Sequence, residues 1–397
     1  MKIKKILLIV DDYMPKSQKV AAKMMHELAS YYVRCGYEVS VLTPSCDIEK
    51  NYELLTLDGV TICFFKSGQI KNVSKIKRAI NETLLPCIAW QNAKEYLLSN
   101  KHDYIVYYSP SIFFGFLVRK LKKLWGVQSY LILRDLFPQW AIDNGMIKKD
   151  SLIASYFRYF EKINYKYADR IGVMSEKNRE WFVEHNKSFQ NVEVLYNWVD
   201  IKKDKFVKDY KKILGIEDKI VCFYGGNLGY AQDMMNIMRV VKSMKDDKNV
   251  FFVIVGSGDE KELIADEIKK ENLNNIKLLD AVSQDEYKQM LCSFDIGLFT
   301  LNKNHTTHNF PGKLLSYMVY DLAIVGSVNK GNDLVDLFQS YNAGLISINQ
   351  DDEKFLSDLK AMLDVKKRDE ISQNARKLLV DVFSLELASK QILKKVN

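Results

Sequence analysis

The sequence predicts an α/β protein in which one architecture, a doubly wound parallel sheet with crossover helices, is built twice. Short apolar runs alternate with longer amphipathic segments along the whole chain, as strands buried on both faces and their crossover helices do. Its 397 residues suffice for two or three domains, each with its own core. The polar, lysine-rich stretch 199–212 has no apolar periodicity, so it reads as a linker between near-equal halves.

In the first half strands are expected at 3–10, 38–42, 61–65, 104–108, 129–133, 170–174 and 192–195. In the second half they are expected at 220–224, 251–255, 276–278, 296–299, 322–325 and 344–346, with helices filling most of the gaps. The expected domains are 1–198 and 199–380, with a closing helix at 381–397 packing back toward the first. Two such domains facing across a cleft would take ligands at the carboxyl ends of their strands.

Composition excludes several classes. Hydrophobic residues make up 47% and charged residues 27%, with 18 Gly and 6 Pro, which rules out disordered and collagenous chains. The longest apolar stretch, 104–118, is broken by Ser109, Pro110 and Ser111 and falls short of the roughly 18 residues a membrane span needs. The opening run ends at Asp11 and Asp12, so it reads as a buried strand rather than a signal peptide. The six cysteines form no CxxC pair, which suggests neither a zinc site nor a disulfide framework and fits a reducing cytoplasm. Residues 1–197 hold 29 Lys+Arg against 20 Asp+Glu, and residues 198–397 hold 29 against 30. The basic half points to an anionic partner, whether lipid, phosphate or nucleic acid. Its basic residues are scattered rather than striped with aromatics, which counts against nucleic acid.

In the second half, Phe223-Tyr-Gly-Gly-Asn-Leu-Gly229 follows a strand and precedes a helical pattern. It reads as a phosphate loop, with Gly226, Asn227, Gly229 and Gln232 near an anion at the following helix amino terminus. Gly256-Ser-Gly258 is a second glycine turn after the next strand; a tight turn without ligand is its other reading. In Asn309-Phe-Pro-Gly-Lys-Leu-Leu-Ser-Tyr-Met318, Pro311 and Gly312 stand where a helix should begin and Lys313 lies in its first turn. A cation there opposes the helix dipole unless a bound diphosphate lies beside it. A lysine turned out to solvent is the competing reading.

In the first half, Asp12, Lys16, Ser17 and Lys19 follow the first strand, and Arg134 and Asp135 follow the fifth. Asp135 is a candidate base or hydroxyl acceptor, or equally a helix N-cap. His26 sits within a helical pattern and reads as packed rather than catalytic. The stretch Phe113–Trp125 joins an apolar face to Arg119, Lys120, Lys122 and Lys123, which suits a helix in an anionic membrane interface or one packed on the sheet with a basic outer face.

Four segments, Ala168–Ser175, Val194–Asp200, Val255–Gly258 and Phe294–Phe299, make the chain resemble glycosyltransferase family 4, of the GT-B fold, over nearly its full length. Asp11–Ser17, Ala21–Ala29 and Leu133–Trp140 resemble the WbuB-like N-acetyl-L-fucosamine transferases of O-antigen and capsule assembly. Two departures stand out. Where the family carries two glutamates, this chain has His308 and Ser316; where it carries the Arg and Lys that neutralise the diphosphate, this chain has Asn227 and Gln232.

The resemblance implies a cytoplasmic transferase, peripheral on the inner face of the cell membrane. It would move a sugar from a uridine diphosphate donor in the second domain to a polyprenyl-diphosphate-linked acceptor on the first. Lys16, Ser17, Lys19 and Arg134 would meet the acceptor. With the usual cations missing, Lys313 and the backbone at Gly226–Gly229 would stabilise the leaving diphosphate, with Arg134 as a further cation. No DxD-like pair suggests a metal, so no cofactor beyond the donor is expected. A retaining reaction needs no side-chain nucleophile, whereas an inverting one would use Asp135 or Asp12 as base. A UDP-sugar 2-epimerase of the same fold and a non-catalytic sugar-nucleotide-binding subunit remain open. A Rossmann dehydrogenase is disfavoured because no GxGxxG follows the first strand.

Overall fold

Ile6 to Val10 and Tyr104 to Tyr107 are almost wholly buried, the mark of strands covered by helices on both faces. They form the centre of the first of two units in this computed structural model, which describes residues 3–17, 19–70, 73–143, 145–204, 208–304 and 310–394. That unit comprises Met1–Trp198 and Leu385–Asn397. Its strands are β1 (Lys5–Ile9), β2 (Glu38–Ser45), β3 (Tyr52–Leu57), β4 (Val60–Lys66), β5 (Tyr104–Ser109), β6 (Gln128–Leu133), β7 (Arg170–Val173) and β8 (Val192–Val194). They lie in the order β3-β4-β2-β1-β5-β6-β7-β8, so the winding reverses between β1 and β5.

All pairs are parallel except β3–β4. β3 lies outside the expected series because it is a mostly exposed edge strand without a continuous buried apolar run. It is tied to β4 by a two-residue turn in which Asp58 and Gly59 both adopt positive φ, 50° and 77°, as a tight hairpin requires.

The helix Gly115–Trp125 settles the ambiguity of the basic apolar segment. Leu117, Val118, Leu121 and Trp125 are buried in the core on one face of the sheet, each aliphatic side chain contributing roughly 1.5–3 kcal/mol. Lys122 pairs with Asp169 at 2.6 Å, Arg119 lies over the Tyr167 ring and Lys120 over Trp90. Its apolar face is therefore packed on the sheet, the second of the two readings the sequence left open.

The second unit is Val199–Ser384. Its strands are β9 (Ile220–Asn227), β10 (Val250–Ser257), β11 (Ile276–Leu279), β12 (Ile296–Thr300), β13 (Ala323–Val328) and β14 (Leu345–Ile348). They are all parallel, in the order β11-β10-β9-β12-β13-β14, with the reversal between β9 and β12. A helix, Val365–Val382, runs past residue 380, and the closing helix is Leu385–Leu393, grouped with the first unit.

Candidate functional site

A parallel sheet binds ligands where its winding reverses, because the crossovers leave to opposite faces and open a crevice at the carboxyl edge. In the second unit β9 and β12 pair only through Ile296–Cys222 and Gly297–Phe223, and beyond Phe223 the ladder between them ends. The Tyr317 hydroxyl fills that opening, donating to the Leu298 carbonyl at 3.0 Å and accepting from the Gly225 N–H at 3.3 Å. Gly297 is needed there, since a Cβ on it would lie 2.4 Å from the tyrosine ring.

Lys313 lies four residues before Tyr317 on the helix Lys313–Val319, hence on the same face. Its Nζ sits 3.4 Å from the centroid of the Tyr224 ring, and a Cβ on Gly226 would lie 3.5 Å from it. The residue keeps some exposed stem, but Nζ itself is buried and has no hydrogen-bond partner among the described residues. Burial pushes the amine well below its usual value. The Tyr224 ring beneath the amine is not legible in the local sequence pattern that marks Lys313. An anion would supply the hydrogen bonds that this amine lacks among the described residues.

The glycine segment differs from expectation in form. Gly225, Gly226 and Asn227 continue the ladder, opposite Val255, Gly256 and Ser257, instead of opening a loop at 225. The ladder is this tight because Gly256 lacks a side chain: a Cβ there would stand 1.9 Å from the Gly226 carbonyl oxygen. Gly226 and Gly258 have φ of 132° and 152°, a backbone that side chains disfavour. Asn227, Gly229 and Gln232 do come together. The Asn227 amide donates to Gln232 at 2.7 Å, so the two residues standing for the family's cations form a neutral pair. The helix amino terminus expected to receive an anion is already occupied, because the Met234 N–H donates to the Glu260 carboxylate at 2.9 Å.

Pro311 and Gly312 precede the Lys313 helix, and a Cβ on Gly312 would meet nothing within 4 Å. Ser316 lies one turn on and is half-buried. His308 and Asn309 lie outside the described residues.

In the first unit the winding reverses between β1 and β5, with Asp11 and Asp12 after β1, Tyr108 at the end of β5, and Arg134 and Asp135 after β6. The buried Tyr108 hydroxyl feels the charges of Arg134, Asp11 and Asp135, which places these groups around it at one carboxyl edge. Asp135 is exposed, yet surrounding protein pushes its carboxyl above the usual range against the pull of Arg134. Asp12 accepts from the Ser17 hydroxyl at 2.8 Å. Lys16 donates to Ser45 at 2.6 Å and lies over the Phe64 ring. Lys19 is exposed at the start of the helix Val20–Arg34.

Arg134 corrects the reading that gave it an acceptor or diphosphate. It is buried; its guanidinium donates to the Leu195 and Tyr196 carbonyls and stacks over Trp198, and burial lowers its pKa to about 10. It fastens the last strand's exit instead of facing solvent. His26 is packed as expected, bonded at 2.9 Å to both Tyr13 and Asp58.

Comparison with known proteins fits this geometry. Residues 21–203 match the family described as Glycosyltransferase Family 4 and residues 206–378 the family described as Glycosyl transferases group 1. The chain is 22% identical over 337 residues to the putative colanic acid biosynthesis glycosyl transferase WcaI of Escherichia coli K12, covering 79% of this chain and 81% of that one. Its fold is similar to sucrose-phosphate synthase of Thermosynechococcus elongatus, with a TM-score of 0.71 at 14% identity over 98% of this chain and 97% of that one. It is also similar to Anabaena HepE in complex with UDP, with a TM-score of 0.69 at 14% identity over 98% of each chain. With a family 4 region followed by a group 1 region, and a doubly wound sheet in each, the chain is a glycosyltransferase of the GT-B fold.

Proposed function

We propose that this glycosyltransferase takes its sugar from a uridine diphosphate donor held by the second unit and passes it to a polyprenyl-diphosphate-linked saccharide met by the first. Lys313 carries the reading. A buried amine with no hydrogen-bond partner among the described residues, beside glycine backbone at the sheet's reversal, suits a diphosphate that gains charge as the glycosidic bond breaks. HepE is described in complex with UDP and with UDP-glucose, which favours a nucleotide donor, and WcaI is named for colanic acid biosynthesis, which favours a biosynthetic acceptor. The donor sugar we propose is N-acetyl-L-fucosamine, the product an O-antigen or capsule unit, and the place of work the inner membrane face. Asp135 and Asp12, at the carboxyl edge of the first unit's sheet, are the groups proposed to receive the acceptor's proton, and no metal is assigned a role.

Release of UDP from a panel of UDP-sugars, with and without a synthetic polyprenyl-diphosphate N-acetylhexosamine, tests this. Release needing one donor and the lipid acceptor is expected. UDP-sugar binding without release under any pairing would refute transfer, and a 2-epimerised sugar among the products would assign the chain to epimerisation.

A further inference from the structure

We infer that the connection between β6 and β7 is a docking surface for an anionic lipid bilayer. The inference rests on the acceptor being lipid-linked. On the helix Leu152–Lys166, Leu152, Tyr156, Tyr159 and Lys166 fall on one stripe at helical spacing. Soluble packing would hide most of such a stripe, yet Leu152 is 89% exposed and Tyr159 54%, and Ile153, beside Leu152 on the flank of the stripe, is 59% exposed. Met146, just before the helix, is 62% exposed. Exposed apolar side chains scattered singly mean little, whereas a contiguous group marks a contact surface.

The patch is held firmly. Tyr159 packs on Phe116 and Phe160, and Tyr156 on Phe157 and Phe160. The Tyr156 hydroxyl bonds Thr83, which brings the helix Lys75–Ser99 alongside with its exposed Ile80 and Leu84.

Charge selects the occupant. Lys148 and Lys149 are exposed at the apolar end, next to one exposed acid, Asp150. At the other end a pocket of about 590 Å³ is lined by Tyr159, Lys162, Lys166, His185 and Lys187, with Glu184 as its one acid. Apolar and aromatic residues along one stripe with lysines at both ends describe a helix lying in the plane of an interface, its lysines reaching anionic headgroups. The pocket is suited to one such headgroup. Because a crossover helix starts at the carboxyl edge of its sheet, Met146, Leu152 and Ile153 lie at the edge that carries Asp135, where a lipid-linked saccharide would be presented.

Flotation of the full chain with phosphatidylcholine vesicles, with and without phosphatidylglycerol, is the test. Binding is expected only with phosphatidylglycerol, and should fall with salt. The double variant Leu152→Glu, Ile153→Glu should weaken it by more than about tenfold. Lys162→Glu and Lys166→Glu should each cost at least about fivefold. Transfer to a water-soluble acceptor should stay unchanged in all three. No binding by the unmodified chain, equal binding by the variants, or a self-association lost in the variants without vesicle binding would each overturn the inference. Vesicle binding without transfer from any UDP-sugar would leave the docking surface standing and refute the proposed function alone.

Discussion

Replacing Lys313 by methionine should make the protein more stable and worse at holding its donor. Nζ is buried without a hydrogen-bond partner among the described residues, and leaving such a donor unsatisfied costs about 1–3 kcal/mol. The Tyr224 ring, 3.4 Å away, offsets part of this by cation–π attraction, about 2 kcal/mol for a desolvated cation. The amine is nonetheless pushed well below its usual value of 10.5, so desolvation wins. Methionine fits the same space and suits an aromatic neighbour. Relief of about 1–3 kcal/mol would raise the unfolding temperature of a unit this size by roughly 2–12 °C.

The effect has a sign in pH. A lysine whose folded value lies below its unfolded one leaves the unfolded chain holding the extra proton in the interval between them, so stability rises with pH there. The advantage of Lys313→Met should therefore be full below the folded value and fade as pH approaches 10.5. UDP affinity should fall about tenfold to a hundredfold, the worth of a charge-assisted hydrogen bond. Scanning calorimetry across pH and titration calorimetry with UDP read both effects. A variant less stable than the parent, or one binding UDP equally well, would refute the reasoning.

Other substitutions separate packing from binding. Gly256→Ala places a Cβ 1.9 Å from the Gly226 oxygen and should cost about 3 kcal/mol or more by forcing β9 and β10 apart, seen as a lower unfolding temperature with UDP binding lost. Gly312→Ala meets nothing and should keep or slightly raise stability while weakening UDP binding in titration calorimetry. Asp135→Asn should leave UDP affinity intact and, if the carboxylate receives the acceptor proton, slow transfer by about a hundredfold or more. Parent activity should decline as pH falls through the raised Asp135 value. Chelation by EDTA should leave initial rates of transfer unchanged, because Lys313 and backbone N–H groups are given the diphosphate charge.

The strand series was legible because buried parallel strands are nearly continuous apolar runs, and the order of strands and crossovers follows from it. Ambiguity arose where one local pattern serves two environments. Phe113–Trp125 is amphipathic whether its apolar face meets a sheet or a lipid, and only the partners Asp169, Tyr167 and Trp90 decide. Gly225 and Gly226 carry a turn signal, yet they stay in the ladder because Gly256, thirty residues on, leaves room for them. Arg134 directly follows a strand, where side chains alternate between faces, and its burial against Leu195 and Tyr196 depends on a segment sixty residues away. In contrast, the four-residue spacing of Lys313 and Tyr317 was open to reading; the Tyr224 ring beneath the amine was not.

The closing helix Leu385–Leu393 contributes Leu385, Ala388 and Ile392 to the core of the first unit. Tyr32 and Tyr104 donate to its Ser389 and Ile392 carbonyls, and Arg170 to those of Gln391 and Lys394. The unit made first is thus completed last. During synthesis its sheet waits for the whole second unit to emerge, roughly 10–40 s at ordinary elongation rates, with an apolar face and three buried-to-be donors still open to water. Such an interval is an opening for chaperones. It also means that a chain cut after Ser384 loses its first unit's integrity, although the residues removed belong to neither strand series.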